Sequence, residues 1–398
     1  MTAASWLGLP AGTLFGVSCL PYGVFSADGG SPGVGVRVGD SVLDLARVLG
    51  EQVFSEPSLN TFMAQGRARW SDVRARITEL LTDERHRPAV EAALLPLSGV
   101  ELHLPFTPGD YVDFYGNEYH ATNAGRLFRA GREPLTPNWK WLPVGYHGRS
   151  GTIRRSGTAV PRPCGQRPGD GAPTFGPCQR LDFEAEVGFV IGTGSSGPVS
   201  VGDFADHVFG VFLLNDWSAR DLQAWESQPL GPFLAKSFAT SISPWIVPLD
   251  ALEAARVAPP PRAPEPLPYL ADTAKGSLDL VLEVRLNGHL IARPPYALTY
   301  WTPAQMLAHL TVNGATTRTG DLFASGTVSG PDRDQRGCLL ELSWGGTEPL
   351  RLPDGSQRTF LDDGDEVVIS ATAPGDGGTR IGFGEVTGRI LPAVTAAS

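Results

Sequence analysis

Acidic and apolar residues alternate strictly along Leu181-Asp182-Phe183-Glu184-Ala185-Glu186-Val187-Gly188-Phe189-Val190. On a β-strand that alternation sets Asp182, Glu184 and Glu186 on one face, neighbours being roughly 6.6 Å apart. Two ionised carboxylates at that separation repel by about 2 to 3 kcal/mol at an effective dielectric near 20. Water and salt relieve the repulsion on a solvated strand, the usual state of an isolated D-x-E-x-E. A hard cation gripped by oxygen ligands, Mg²⁺ or Ca²⁺, relieves it on a functional one. Glu184 and Glu186 then need further carboxylates. Asp216 ends the apolar run Val211-Phe-Leu-Leu-Asn215-Asp216, and Asp113 lies in Asp110-Tyr-Val-Asp113. Taken alone, Asp216 reads as the N-cap of a following helix.

Proton transfer and anion binding have candidates nearby. Asp113, Tyr115 and His120 crowd into eight residues, and His120 is one of only seven histidines. A lone histidine is more often structural; these neighbours bring the acid–base role level with it. After Asp216, Arg220, Gln223 and Ser227 fall at i, i+3 and i+7, one helix face carrying a guanidinium and an amide. Such a face is either an ordinary wet surface or a set of donors aimed at an anionic substrate. Lys236 is the single charge in Gly231–Thr240, snorkelling to water or held for function. Arg129 is by default a solvated charge. Gly192-Thr-Gly194-Ser-Ser-Gly197 matches the dinucleotide fingerprint, but Pro198 follows where a helix must open, so it reads as a strand connection. Motifs of serine hydrolases, zincins and P-loop proteins do not occur.

Together these segments resemble the fumarylacetoacetases, hydrolases that split a β-diketone C–C bond. The matching stretches are Asp113-Phe-Tyr-Gly-Asn-Glu-Tyr-His120-Ala-Thr-Asn, Pro137-Asn-Trp, Pro143-Val-Gly-Tyr146-His-Gly-Arg and Asp182-Phe-Glu184-Ala-Glu186. They continue with Asn215-Asp216-Trp-Ser-Ala-Arg220-Asp, Pro229-Leu-Gly-Pro-Phe-Leu-Ala-Lys236-Ser-Phe, Ser325-Gly-Thr327-Val-Ser-Gly-Pro and Leu340-Glu341-Leu-Ser-Trp344. The resemblance implies that Asp113, Glu184, Glu186 and Asp216 hold Mg²⁺ or Ca²⁺, with Lys236 and Thr240 beside the ion. It makes His120 the general base, oriented by Glu341, and Arg220, Gln223 and Lys236 the oxyanion donors. Tyr115, Arg129, Tyr146, Gln223, Ser227 and Thr327 would bind substrate. The implied activity is metal-dependent hydrolysis of 4-fumarylacetoacetate to fumarate and acetoacetate, the last step of tyrosine and phenylalanine degradation, by a homodimer. The family usually has a tyrosine where Ser227 stands, and small hydroxyl residues followed by a basic one at Gly116, Asn117 and Glu118. Ser227 keeps a second activity open, hydrolysis or decarboxylation of another acylpyruvate or β-diketo acid. A non-catalytic, Ca²⁺-stabilised β-sandwich binding module would need the carboxylates but not His120, Arg220 or Lys236.

The elements that must position these residues are mostly strands. The chain has 398 residues, of which 48 are Gly and 35 Pro, while charged residues reach only 19%, a balance that favours turn-rich β structure. Short β runs are expected at Gly33–Val38 and Ser41–Leu43, then Asp182–Ile191, Val208–Leu214, Leu278–Leu286, Cys338–Trp344 and Glu366–Ala371. Val73, Ile77, Leu80 and Leu81 predict a helix over Ser71–Leu81 with Ser71 as its cap. The spacing predicts a small module over residues 1–103 and a large all-β roll or sandwich over 104–398. The resemblance refines these to an SH3-like small β domain and a mixed β-sandwich roll. The Pro-rich Ala258–Pro268 reads as a surface loop. A net charge of −10 argues against a nucleic-acid partner. No basic n-region precedes Arg37, no apolar run spans a bilayer, and Cys19, Cys164, Cys178 and Cys338 form no C-x-x-C pair. Cytoplasmic residence with free thiols is the expectation.

Overall fold

The computed structural model describes residues 5–129, 131–272 and 275–394. Its N-terminal part is built on a five-stranded antiparallel sheet in the order Leu94–Pro96, Ser41–Asp44, Gly33–Val38, Tyr22–Ala27, Val100–Leu102. Asp28 and Gly29, both at positive φ, turn the first hairpin, as a tight β-turn between right-twisted strands requires. Between Asp44 and Leu94 the chain turns helical. Arg67–Thr82 is the long helix, burying Trp70, Val73, Ile77, Leu80 and Leu81. The helix starts a turn earlier than predicted, after Gly66, so Ser71 does not cap it. Its hydroxyl instead donates to Asp250 Oδ2 at 2.7 Å, tying the helix to the larger part.

That larger part contains an eight-stranded mixed sheet. Its main path runs Gly145–His147, Tyr111–Phe114, Leu322–Ala324, Ala185–Ile191, Val208–Asp216, Thr240–Ile242, Ile153–Arg155, and Val247–Pro248 also pairs with Val208–Asp216. Two pairings are parallel, Leu322–Ala324 with Tyr111–Phe114 and Thr240–Ile242 with Ile153–Arg155. A five-stranded sheet follows the order His289–Ala292, Val281–Leu286, Glu366–Pro374, Arg380–Leu391, Val160–Pro161. One apolar core joins the two, with Phe189, Leu213 and Phe323 from the first, Leu282, Ile369 and Phe383 from the second, and Trp217 just past Val208–Asp216. At Gly388 a Cβ would lie 2.4 Å from the Trp217 ring, so this approach needs glycine. The architecture is mostly β with curled sheets.

Three local expectations change. The acidic strand breaks at Phe183-Glu184: Leu181–Asp182 pairs with Ser218–Ala219, while Ala185–Ile191 pairs with Val208–Asp216. Cys338–Trp344 is not a strand but holds a short helix, Leu339–Leu342, because both carboxylate oxygens of Asp182 accept amides there, from Leu339 at 2.7 Å and Leu340 at 2.9 Å. Asp216 is not an N-cap but the last residue of its strand, and the helix begins at Arg220. Gly192–Gly197 opens no helix, and residues 258–267 carry no regular element.

Candidate active site

The four acids of the expected cation site converge from strand ends. Asp113 lies on Tyr111–Phe114, Glu186 on Ala185–Ile191, and Asp216 closes Val208–Asp216. Glu184 sits one residue ahead of its strand, its amide held by Asn215 Oδ1 at 3.1 Å. Asp113 is paired with Tyr146 and Asp216 with Thr240. Asp113, Glu184, Glu186 and Asp216 each offer an oxygen within 4.8 Å of the others, and all are buried. A solvated strand face is thereby excluded.

Hydrogen bonding in the cluster is uneven. Lys236 Nζ donates to Glu184 Oε2 and Asp216 Oδ2, both at 2.6 Å, and the Tyr146 hydroxyl donates to Asp216 Oδ2 at 2.8 Å. Arg220 Nη1 meets Glu184 Oε1 at 2.7 Å. Among the described residues no donor reaches Asp113 Oδ1, Asp216 Oδ1 or either Glu186 oxygen. Each such buried acceptor costs about 1–3 kcal/mol, more when charged. Burial, compounded by the neighbouring acids, pushes the Asp113 and Glu186 carboxyls far above their ordinary range and raises Asp216. Burial opposes ionisation of Glu184 too, but Lys236 and Arg220 outweigh it and draw that carboxyl down. An all-oxygen, multiply anionic set with unused acceptors fits a hard divalent cation. Burial likewise opposes the Lys236 ammonium, yet Asp216 and Glu184 hold it charged, a counter-charge to the acidic cluster.

A histidine–carboxylate pair stands next to these acids. Asn117 caps the helix Glu118–Phe128, its Oδ1 accepting the His120 amide at 3.0 Å. His120 Nδ1 lies 2.7 Å from Glu341 Oε2, and both residues are buried. With a carboxylate on Nδ1, that nitrogen is assigned the proton, and Nε2 is left as an acceptor. Glu341 also receives Asn123 Nδ2 on Oε1 at 2.9 Å, and Ser329 Oγ at 2.8 Å and Cys338 Sγ at 3.2 Å on Oε2. Burial resists its ionisation, but the His120 interaction and the Asn123 and Ser329 donors prevail and hold its carboxyl below the usual range. His120 is near enough to Glu184 to favour its ionised form.

The remaining predicted residues surround this pair and the cluster unequally. Arg220 Nε binds Asp182 Oδ2 at 2.8 Å and Nη1 reaches Gln223 Oε1 at 3.1 Å, while the buried Nη2 has no partner among the described residues. The buried Thr327 hydroxyl likewise has no partner among the described residues. Tyr115 stacks edge-on to the His120 ring at 5.5 Å and donates to the Ala121 carbonyl. Arg129, half-buried, spends Nη2 on the Pro134 carbonyl; burial pushes the Tyr115 hydroxyl well above its ordinary range, with Arg129 opposing it only in part. Ser227 turns its hydroxyl back to the Gln223 carbonyl. A cavity of about 160 Å³ opens beside Asp216, Lys236, Tyr146 and Thr240. Two cavities of about 710 Å³ lie elsewhere, lined by none of these residues, so the chemistry rather than the volume locates the site. Asn123, Ser329 and Cys338 carry no spacing signal in the sequence.

Comparison with known proteins bears on the whole chain. Residues 111–391 match the family model described as fumarylacetoacetate (FAA) hydrolase C-terminal, and residues 18–105 the one described as fumarylacetoacetase N-terminal. The chain is 46% identical to the fumarylacetoacetase of Bos taurus and 45% to that of Homo sapiens, covering 96% of this chain and 97% of each relative. Identity to the enzyme of Oryza sativa is 43%, over 98% and 97%. Among solved structures, the fumarylacetoacetate hydrolase of Exiguobacterium antarcticum superposes with a TM-score of 0.56 at 19% identity, covering 94% of this chain and 99% of that one. Maleylpyruvate hydrolase from Sphingobium, solved with manganese(II) and pyruvate, gives 0.51 at 18%, over 94% and 100%. At these identities the structures show a shared fold.

Proposed function

The chain belongs to the fumarylacetoacetase family and is a hydrolase of fumarylacetoacetate, and we propose that it works with Mg²⁺ or Ca²⁺ held by Asp113, Glu184, Glu186 and Asp216. The observation that carries this is the set of four partnerless buried carboxylate oxygens in one acidic cluster. When bound, the cation supplies Lewis acidity toward substrate oxygens.

The chain's own residues supply the rest. His120, with Nδ1 on Glu341, takes a proton from water at Nε2, and the water oxygen bonds to the substrate carbonyl carbon next to the scissile bond. Glu341 stabilises the imidazolium that results. Arg220 Nη2 and Gln223, with the third N–H of Lys236, donate to the developing oxyanion. The C–C bond then breaks, fumarate leaves with one new oxygen, and the acetoacetate carbanion takes up the proton. Tyr115, Arg129, Tyr146 and Thr327 line the substrate's position. Ser227 meets it less closely than a tyrosine would, and Thr240 stands beside the ion.

The small domain over 1–103 is read as SH3-like, supported by its antiparallel sheet, and the catalytic roll as 104–398. A homodimer is supported by the exposed Phe175, Trp225, Leu230 and Phe233, the first two both adjoining Gln166. Cytoplasmic residence is supported by four free cysteines, and a place at the end of tyrosine and phenylalanine breakdown by the substrate. No helix among the described residues is long and apolar enough to cross a membrane. A binding module without chemistry has no use for the His120–Glu341 pair. The test is fumarylacetoacetate hydrolysis after chelation and after return of each cation: activity must vanish and recover with Mg²⁺ or Ca²⁺, and full activity in chelator sinks the metal role.

A further inference from the structure

Of the motif Tyr146-His147-Gly148-Arg149, only Tyr146 has a part in the site described above. The segment is tightly placed. Gly148 donates its amide to the Tyr111 carbonyl at 2.9 Å, and a Cβ on Gly148 would stand 2.1 Å from the Tyr111 ring, so the chain can pass here only as glycine. Thr152 Oγ1 donates to the Arg149 carbonyl at 3.2 Å and to the Ser237 carbonyl at 2.8 Å, tying this turn to the helix that carries Lys236. His147 and Arg149 therefore share the walls of the 160 Å³ cavity with Asp216, Lys236, Tyr146 and Thr240.

The charges of that cavity do not cancel. Its single acid, Asp216, is already engaged by Lys236 and Tyr146. Arg149 has no hydrogen bond or ion pair from its guanidinium among the described residues. A planar fork of free N–H donors, fixed at its backbone and facing a cavity next to the reacting groups, is built to receive a carboxylate in two parallel hydrogen bonds.

We propose that Arg149, flanked by His147, forms a carboxylate subsite that takes the end of the substrate away from the scissile bond and sets a preference for dianionic over monoanionic β-diketo acids. This rests on the hydrolase reading above. Because Arg149 is exposed, water screens the interaction and the expected discrimination is at most about tenfold.

The experiment compares kcat/KM for fumarylacetoacetate and for an acylpyruvate with an uncharged tail, in wild type, Arg149→Gln and Arg149→Lys, with melting curves as the check on folding. The ratio of the two kcat/KM values should fall by up to about tenfold in Arg149→Gln, chiefly through KM of the dianion, and partly recover in Arg149→Lys. An unchanged ratio overturns the subsite. Calorimetric binding of fumarate against crotonate reads the same subsite without turnover: Arg149→Gln must weaken fumarate more than crotonate, and equal weakening overturns it. A wild type that hydrolyses neither substrate but keeps this binding difference would count against the hydrolase reading and for the subsite.

Discussion

Two regions of one cleft hold buried carboxylates on opposite terms. Asp182 and Glu186 are four residues apart and both 0% exposed. Asp182 is satisfied: Leu339 and Leu340 amides, the Phe183 amide and Arg220 Nε all donate to it. Glu341, across the cleft, is satisfied too. Among the described residues no donor reaches either oxygen of Glu186, and Asp113 and Asp216 each leave one oxygen without a donor. Folding solves the burial of a charge wherever the charge has a structural purpose. Where it leaves acceptors unsolved in a group, the solution comes from outside the chain. The comparison separates a brace from proposed ligands within a single D-x-E-x-E, which alternation alone assigns to one face.

The largest effect expected falls on the satisfied side. If Glu341 acts by orienting His120 as base, His120→Ala lowers kcat by about 10²- to 10⁴-fold. The fold and calorimetrically measured cation binding must persist; turnover within a few-fold of wild type breaks the assignment. Next comes Asp182→Asn. It leaves Arg220 with one fewer buried counter-charge and the Leu339–Leu342 helix with a weaker cap, for a loss of about 3–5 kcal/mol in urea unfolding. Cation affinity of the folded protein should hold. If affinity collapses while stability is kept, Asp182 belongs with the ligands and the division fails.

Glu186→Gln should do the reverse. Burial and the neighbouring acids already favour the neutral form of Glu186 when no cation is bound, and Gln matches that form in shape. The chelated protein then melts no lower than wild type, while Mg²⁺ or Ca²⁺ binding weakens by at least the roughly 10- to 100-fold that even outer partners of a metal command. A drop in melting temperature of the chelated variant would show that Glu186 has a protein partner after all.

The division also marks what the sequence could reveal. The acids and His120 stand in dense motifs whose residue types are improbable in an apolar core, so they are legible as a group, whereas Glu341 is reached only through the family resemblance. Alternation misplaces Asp182 because the strand breaks at Phe183-Glu184, where Asn215 takes the Glu184 amide, a contact across 31 positions. The helix Leu339–Leu342 reads as a strand because its cap lies 157 positions away. Ser71 looks like a cap because the apolar periodicity starts just after it, yet Trp70 is already buried inside the helix. The donors that saturate Glu341 are of the same kind. Asn123 sits 218 positions from its acceptor, and pairing over such spans is written in the topology of the sheet rather than in local spacing.

The smallest effect tests the weakest of those donors. Cys338 is buried, and burial together with Glu341 keeps its thiol protonated far past its ordinary range, so it can only donate. Glu341 is held below its unfolded value. It therefore contributes stability that is present above the unfolded carboxylate pKa and is lost as pH falls through the folded one. Cys338→Ala removes one donor from Oε2 and moves the folded value back toward the unfolded one. Stability at neutral pH should drop by about 0.5–1.5 kcal/mol, and the gap to wild type should close as pH falls below the range where Glu341 is ionised in either protein. Cys338→Ser, which restores a donor, should recover most of the difference at neutral pH and show the wild-type acid limb. A gap that stays constant down the acid limb would place the effect in packing alone and remove the thiol from the set that holds Glu341.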